Sequence, residues 1–521
     1  MRIDFIKRVV SIFLICSLIL VVTGCADKPQ SNNNSSDDSE HYHISIDNTS
    51  PVQSNYNGQG AYYASFSCMN DVTGKPGTVI YSDEQIEWEM ECVRRSGVNV
   101  VRTMFMESWA WDPATGDNVE NGKVNWDTDD MKCFYKWLDK MTEMKIDVMV
   151  SFGWTMGSLG KTAVERNIPV FQYMSGSSNY FDCIPYYAQF YSDFVKEVIV
   201  KRGYNCIKYA NIMTEPDYNP AGDVEANSHE HWQQWYTAAE ALHNKLVKDG
   251  VRQSIKLLGA QSVRDNDWLK WTVEEADDII DIYTAHRYPT VDSYYEQGAL
   301  YDQVYYKAKE WVDTVRPTGK DFWWDEIQVF TNNEPDTEMH PKYQGAQEVL
   351  AISAMMNAGV SKNLLWMLAK QKYPNNFATY TEFVEGVQTT TGFLGYLNWD
   401  NTPEPVWYAY SMVANALNHP EQSVYEIIPE NDIYGTLSVS EDGTVTLIAV
   451  NMSLEDQEIS FDFEKSFDDI TLYRYCYDPS IIEANAQVEL IKSSGKFIDV
   501  YNTITDKIPS FGVTVYTSSK F

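Results

Sequence analysis

The chain has 521 residues, which is too long for one ordinary domain core and predicts two or three domains. Its 74 Asp and Glu against 40 Lys and Arg give a formal charge of −34, which excludes a basic surface for a nucleic-acid backbone. The 44 % hydrophobic content is enough for a large core and excludes a wholly disordered chain.

The first 24 residues have the pattern of an export signal. Basic residues precede an apolar run over residues 9–22, which is too short for a typical membrane-spanning helix. The boundary Val22-Thr23-Gly24-Cys25 resembles the bacterial lipobox, in which the cysteine becomes the lipidated first residue of the mature protein. We therefore expect a removed signal peptide at residues 1–24 and an exported lipoprotein, anchored through Cys25 to the outer face of the membrane at the cell surface.

Residues 25–50 are predicted to be a flexible, lipidated tether. They contain few apolar residues, and the run from Ser31 to Asp38 consists only of Ser, Asn and Asp.

Cysteine and histidine spacings do not favour a disulfide framework or a metal site. The six cysteines beyond Cys25 are widely separated, and neither CxxC nor HExxH occurs. We expect no metal and no organic cofactor. The six are Cys68, Cys92, Cys133, Cys183, Cys206 and Cys476.

Residues 51–420 alternate short apolar runs with amphipathic segments, as parallel strands with crossover helices do. Eight strands are predicted, at residues 60–66, 98–104, 146–152, 207–214, 255–260, 279–285, 321–326 and 363–368. Eight helices are predicted, at residues 83–96, 129–145, 186–202, 229–248, 267–276, 299–315, 344–358 and 405–417. Eight such units favour a (β/α)₈ TIM barrel of the α/β class over an open doubly wound sheet.

The last hundred residues, 421–521, predict a small C-terminal β-sandwich packed against one side of the barrel. Apolar and polar residues alternate there, and Glu441-Asp442-Gly443 is a tight-turn signal. We interpret this domain as a packing module rather than a ligand-binding one.

Two glutamates lie at the ends of predicted barrel strands, where chemistry sits in this fold. Glu215 follows strand four and precedes Pro216, and Glu326 ends strand seven. Either one alone is also consistent with a surface charge. Together they would face one another across the barrel mouth, and two carboxylates are what hydrolysis of a glycosidic bond with retention requires.

These motifs resemble the clan A retaining glycoside hydrolases, the cellulase-like and xylosidase-like barrels of families 5 and 39. The resemblance covers the barrel and the β tail. It lies in residues 206–216, which are similar to the fourth-strand motif, and residues 320–326, which are similar to the seventh-strand motif. It implies that Glu215 is the acid/base and Glu326 the nucleophile.

Further residues match substrate-binding positions of that clan. The resemblance implies that Arg102 hydrogen-bonds the nucleophile, Tyr288 lies near it, His286 lines the subsite and Trp366 forms a platform under the sugar. As alternatives, Arg102 is a structural ion-pair residue, His286 a core histidine and Trp366 barrel filling. Trp154, at the end of strand three, is either a sugar platform or a lid over the core.

The position before the acid/base departs from the clan's pattern. The clan has Asn there, hydrogen-bonded to the substrate 2-hydroxyl, and this chain has Thr214, whose hydroxyl is a shorter, single donor. A literal Asn333-Glu334-Pro335 occurs eight residues after Glu326, but it lies in a polar segment that we interpret as a turn.

The sequence therefore predicts a retaining β-glycoside hydrolase acting on extracellular oligo- or polysaccharide, with β-glucan or β-mannan as the first expectation by resemblance. The alternative is a non-catalytic surface glycan-binding lipoprotein with a glycosidase-like barrel, which Thr214 keeps open. A metal-assisted barrel hydrolase is disfavoured because the strand ends lack clustered histidines.

Overall fold

The computed structural model describes most of the chain from His41 to Phe521. The described residues are 41–63, 83–105, 107–112, 123–152, 180–217, 220, 224–264, 267–291, 297–331, 340–369, 396–397, 402–467, 470–482, 497–500 and 502–521. The signal peptide, Cys25, Trp154 and Asn333-Glu334-Pro335 lie outside them. Among the described helices, none has the length and apolar character needed to cross a membrane.

Strands make up both parts of the fold. In chain order they are β1 (His41–Ile46), β2 (Gln53–Tyr56), β3 (Gln59–Tyr62), β4 (Val100–Phe105), β5 (Trp111–Asp112), β6 (Lys123–Val124), β7 (Asp147–Phe152), β8 (Ile207–Asn211), β9 (Lys256–Ser262), β10 (Ile282–His286), β11 (Thr290–Val291), β12 (Phe322–Ile327), β13 (Phe330–Thr331), β14 (Lys362–Leu365), β15 (Gln422–Glu426), β16 (Ile433–Ser440), β17 (Val445–Asn451), β18 (Gln457–Phe463), β19 (Ile470–Tyr477), β20 (Phe497–Val500), β21 (Thr503–Ile508) and β22 (Val513–Thr517).

The described helices follow the barrel strands. They are α1 (Asp83–Arg95), α2 (Asp129–Met144), α3 (Tyr180–Phe194), α4 (His229–Lys248), α5 (Trp268–Glu275), α6 (Gln297–Val315), α7 (His340–Ala358) and α8 (Pro405–Ala416). A π-helical stretch, Val195–Lys201, continues α3. Local sequence explains some of the ends: Thr128 caps α2 by accepting a hydrogen bond from the backbone N–H of Met131, and Ser228 caps α4 in the same way.

A closed barrel of eight parallel strands forms the centre of the molecule. The order is β3, β4, β7, β8, β9, β10, β12, β14, and β14 pairs with β3 to close it. Each of the eight predicted strands overlaps one of these, so the predicted (β/α)₈ barrel is confirmed. Side chains fill its interior, so it is a packed core and not a pore. These include Val100, Met149, Leu258, Ile282, Trp323 and Leu364.

The predicted β-sandwich follows α8. A seven-stranded sheet, β2-β15-β16-β17-β22-β19-β20, and a three-stranded sheet, β1-β18-β21, enclose an apolar core that includes Leu437, Leu447 and Phe461. The sandwich packs on the last two helices of the barrel. The Asn357 amide on α7 donates to the carbonyl of Gly435 at 2.9 Å, and the Thr446 hydroxyl donates to the last residue of α8 at 3.0 Å.

The start of the sandwich differs from the predicted boundaries. Residues 41–46 fall within the segment predicted as a tether, yet they form β1, which pairs in parallel with β18 and buries Ile44 and Ile46 in the sandwich core. β2, which the prediction placed in the barrel domain, is an edge strand of the larger sheet. The polar composition hides β1 because a strand at a sheet edge needs apolar residues only at alternate positions.

Candidate active site

The two predicted carboxylates lie together at the C-terminal end of the barrel. Glu326 is on β12 and is 4 % exposed; Glu215 follows β8 and its side chain is 14 % exposed. A carboxylate oxygen of each lies within 4.8 Å of the other. Glu215 has a φ of +46°, an unusual backbone conformation for a residue with a side chain, and such strain occurs most often at functional sites.

A β-bulge in β12 directs two neighbouring acidic side chains into the interior. Along β10 and β12, Ala285 pairs with Trp324 and His286 pairs with Glu326. Asp325, between the two, has no pairing partner on β10 and is the extra residue of the bulge. Without the bulge, consecutive side chains would point to opposite faces. With it, Asp325 and Glu326 are both buried beside His286.

Arg102 on β4 connects the two sides of the site. Its guanidinium is fully buried and donates through Nη1 to Glu326 Oε2 and through Nη2 to the Thr214 hydroxyl at 3.2 Å. Its Nε donates to the Ser151 hydroxyl at 3.2 Å, which orients the guanidinium group. Arg102 thus makes the predicted contact to Glu326. The alternative, a structural ion pair, does not exclude this role, because the partner in the ion pair is Glu326 itself.

His286 and Tyr288 supply the other contacts of Glu326. The Tyr288 hydroxyl donates to Glu326 Oε1. His286 is fully buried at the end of β10, with Nδ1 3.2 Å from Glu215 Oε1 and 3.4 Å from Glu326 Oε2. The imidazole therefore lies between the two carboxylates.

The carboxylates around His286 favour its protonated form. Burial alone would lower its pKa, but the carboxylates of Glu326 and Asp325 outweigh both burial and the repulsion from Arg102, and the pKa of His286 is raised to about 10. Burial also raises the pKa of Glu326, while the positive charges of His286 and Arg102 act in the opposite direction. The ionised form of Glu326 thus depends on these two cations.

Thr214 is buried and its hydroxyl is already engaged. The oxygen accepts hydrogen bonds from Arg102 Nη2 and, at 3.0 Å, from Asn211 Nδ2. This leaves only its own proton to donate to a ligand. Thr214, which stands where the clan has asparagine, is therefore a member of the hydrogen-bond network that includes Arg102 and Asn211.

Trp366 follows β14 at the same end of the barrel. The indole is partly buried and packs on Tyr62, with ring centroids 4.2 Å apart. The guanidinium carbon of Arg102 in turn lies 5.8 Å from the centroid of the Tyr62 ring, so Tyr62 and Arg102 connect Trp366 to the carboxylate pair. Its use as a sugar platform stays a prediction, and Trp154 lies outside the described residues.

Four buried polar residues of this region were not predicted from sequence: Asn211, Asp217, Gln261 and Asp325. Asp217 accepts hydrogen bonds from the backbone N–H groups of Val263 at 3.1 Å and Arg264 at 2.9 Å, which ties the segment after β8 to the segment after β9. A sequence signal existed for Asp325, since two adjacent acids ending an apolar strand are unusual.

The same carboxylates and His286 are the described group that could offer three ligand atoms to a metal ion. The donor set does not fit one as it stands. The Arg102 guanidinium already pairs with Glu326 and lies 3.3 Å from His286 Nε2, so a metal ion held by these residues would meet a buried positive charge.

Comparison with solved structures shows a shared fold at low sequence identity. A glycoside hydrolase family 30 subfamily 8 xylanase from Clostridium acetobutylicum has a TM-score of 0.55 at 14% identity, covering 91% of this chain and 99% of the xylanase. An α-L-arabinofuranosidase from Thermotoga maritima has a TM-score of 0.56 at 18% identity, with 91% and 99% coverage. A family 30 xylanase C from Talaromyces cellulolyticus has a TM-score of 0.58 at 12% identity, with 92% and 100% coverage.

No protein-family model matches the sequence, and no curated protein matches it. The chain therefore has the barrel and β-sandwich fold of these glycoside hydrolase structures. The chemistry of its site is inferred from its own carboxylate pair, Glu215 and Glu326.

Proposed function

We propose that this chain is a retaining glycoside hydrolase in which Glu326 is the nucleophile and Glu215 the acid/base. The observation that carries the proposal is the separation of the two carboxylates, whose nearest oxygens lie within 4.8 Å. Retaining enzymes hold their two carboxyl groups about 5–5.5 Å apart, whereas inverting enzymes need about 6.5–9.5 Å to admit a water molecule.

The surroundings of Glu326 suit a nucleophile. Arg102 and Tyr288 each donate to one of its oxygens, and the His286 cation lies 3.4 Å from Oε2. These groups favour the carboxylate and orient it. In the first step a carboxylate oxygen forms a bond to the anomeric carbon while the bond from that carbon to the leaving oxygen breaks.

Glu215 has the more exposed carboxyl group of the two, which suits a residue that reaches the leaving group. His286 Nδ1 faces its Oε1, and no described residue hydrogen-bonds its Oε2, which we assign to carry the proton to the leaving oxygen. In the second step the Glu215 carboxylate takes a proton from water, whose oxygen bonds to the anomeric carbon and releases Glu326.

The proposed substrate is a β-linked oligo- or polysaccharide. β-Glucan and β-mannan follow from the sequence resemblance, and the xylanase and arabinofuranosidase activities named for the similar structures add xylan and arabinofuranosides to the set to be tested. We propose further that the mature protein is displayed at the cell surface through a lipid on Cys25, beside such extracellular polysaccharide.

The test measures hydrolysis of these polysaccharides and of aryl glycosides by the wild type, Glu215→Ala and Glu326→Ala, with Glu274→Ala on the exposed face of α5 as the control. We expect at least a ~10²-fold loss of kcat for both site variants and no change for the control. Proton NMR of the first-formed sugar should show the anomer of the substrate.

Azide separates the two roles. With an activated aryl glycoside, azide should restore turnover in both variants, giving a glycosyl azide of inverted configuration with Glu326→Ala and of retained configuration with Glu215→Ala. A wild type that binds a glycan but shows no turnover, or turnover unaffected by either substitution, would overturn the proposal and leave the glycan-binding alternative.

A further inference from the structure

Two β-bulges flank the strand that carries His286. On one side Asp325 is the extra residue of β12, as described above. On the other side Thr284 pairs with Ala260 and Ala285 pairs with Ser262, so Gln261 is the extra residue of β9, and its φ is +55°. Each bulge redirects one polar side chain into the barrel next to β10.

The two redirected side chains meet behind the imidazole. Gln261 Nε2 donates to Asp325 Oδ2, and Gln261 Oε1 accepts from Asn211 Nδ2 at the end of β8. All three residues are at most 1 % exposed. One oxygen of Asp325 is thus fixed by Gln261, and the other, Oδ1, lies 3.3 Å from His286 Nε2.

The charged groups that face His286 come from β4, from the end of β8 and from β12. Arg102 from β4 places Nη1 3.3 Å from Nε2, Glu215 from the end of β8 approaches Nδ1, and Asp325 and Glu326 come from β12. A buried imidazolium beside a guanidinium requires more than one carboxylate close by. Asp325 is the carboxylate that the reaction does not use.

We propose that Asp325 is a positioning residue, whose carboxylate forms an ion pair with His286 at Nε2 and orients the imidazole so that Nδ1 lies between Glu215 and Glu326. The inference rests on the proposed function for its catalytic consequence. Gln261 holds Asp325 in place through its hydrogen bond to Oδ2. The bulges in β9 and β12 bring these two side chains together beside His286.

As a consequence, the pKa of His286 should depend on Asp325. With Asp325 removed, the Arg102 charge and burial are opposed only by the carboxyl groups of Glu215 and Glu326, so the pKa of His286 falls from about 10 into the range of ordinary assays. Above that lower pKa the imidazole is neutral and Glu326 loses one of its two cations. The alkaline limb of the kcat/KM profile then moves to lower pH.

The test combines NMR of ¹⁵N-histidine-labelled full-length protein with the pH profile of kcat/KM on an aryl glycoside. The signals of His286 are assigned by their loss in His286→Gln. We expect the wild-type imidazolium to persist beyond pH ~9 and the Asp325→Asn imidazole to titrate at least ~2 pH units lower, with its alkaline limb shifted likewise. Asp321→Asn, the same change at the other end of this segment, should leave both readouts unaltered.

Gln261→Met provides a second variant that retains Asp325 but removes its donor, and it should shift the titration in the same direction by a smaller amount. An Asp325→Asn protein that is folded by circular dichroism and keeps the wild-type titration would overturn the inference, as would an unshifted Gln261→Met if Asp325→Asn does not fold. If the wild type hydrolyses no glycoside yet Asp325→Asn shifts the titration, the proposed function fails and the pairing of Asp325 with His286 stands.

Discussion

Buried ionisable residues occur in two settings in this protein. At the barrel mouth the carboxylates lie among the cations Arg102 and His286, so opposite charges stabilise one another. Glu348 on α7 has a different setting. It is 2 % exposed, its Oε1 accepts a hydrogen bond from the Val329 backbone at 2.9 Å, and no cation among the described residues pairs with it. Burial raises the pKa of Glu348 to about 8.

Glu348 should make the stability of the fold decrease with rising pH. Its pKa in the folded state lies above the ordinary glutamate value of 4.5, so between these two pH values the folded protein binds the proton and the unfolded chain does not. Glu348→Gln keeps the acceptor for Val329 and removes the titration. We expect its Tm to rise relative to the wild type between pH 5 and pH 8, whereas Glu274→Gln on an exposed face follows the wild type. Parallel Tm curves for wild type and Glu348→Gln would contradict this.

At the level of elements, the mostly buried barrel strands were readily predicted, whereas the edge strands β1 and β2 were not. The barrel strands are buried over most of their length, which gives short apolar runs such as Val148–Val150. β1 has only two buried aliphatic residues, Ile44 and Ile46, among polar ones, and a polar segment precedes it. The bulges were not predictable either, because register depends on the partner strand.

Strand β1 should contribute to the stability of the sandwich. Ile44→Ala removes a side chain packed in its core, and we expect a loss of about 2–4 kcal/mol in the free energy of unfolding. Ser45→Ala, the adjacent exposed position, should change it by less than about 0.5 kcal/mol. Thermal or denaturant unfolding measures both. Equal stability of the two variants would mean that residues 41–46 behave as the tether that their composition suggests.

On the scale of the whole molecule, the chain passes from the sandwich into the barrel and back. β1 and β2 join the two sandwich sheets before β3 begins the barrel, and β15 onwards completes both sheets after α8. The sandwich is therefore built from both ends of the described chain, and it packs on α7 and α8, next to the strands β12 and β14 that precede and follow α7. The segment from Cys25 to Glu40 is what remains for the proposed tether.

Membrane attachment should depend on Cys25. The net charge of −34 gives no attraction to an anionic membrane surface, so attachment requires the lipid. In a bacterial host, we expect the wild type to incorporate labelled palmitate and to sediment with membranes, and Cys25→Ser to do neither. Cys16→Ser, within the apolar run of the signal, should behave as the wild type. A Cys25→Ser protein that still carries label would contradict the proposed anchor.

The sequence by itself determined the barrel, its eight units, the C-terminal sandwich and the candidate pair Glu215 and Glu326, because periodicity and position at strand ends are properties of local sequence. Only the tertiary structure decided the surroundings of that pair. Asp325 and Gln261 enter the site through bulges, and Asn211 and Thr214 through hydrogen bonds between strands distant in the chain. Such contacts depend on register and on the mutual burial of charges, which no single segment encodes.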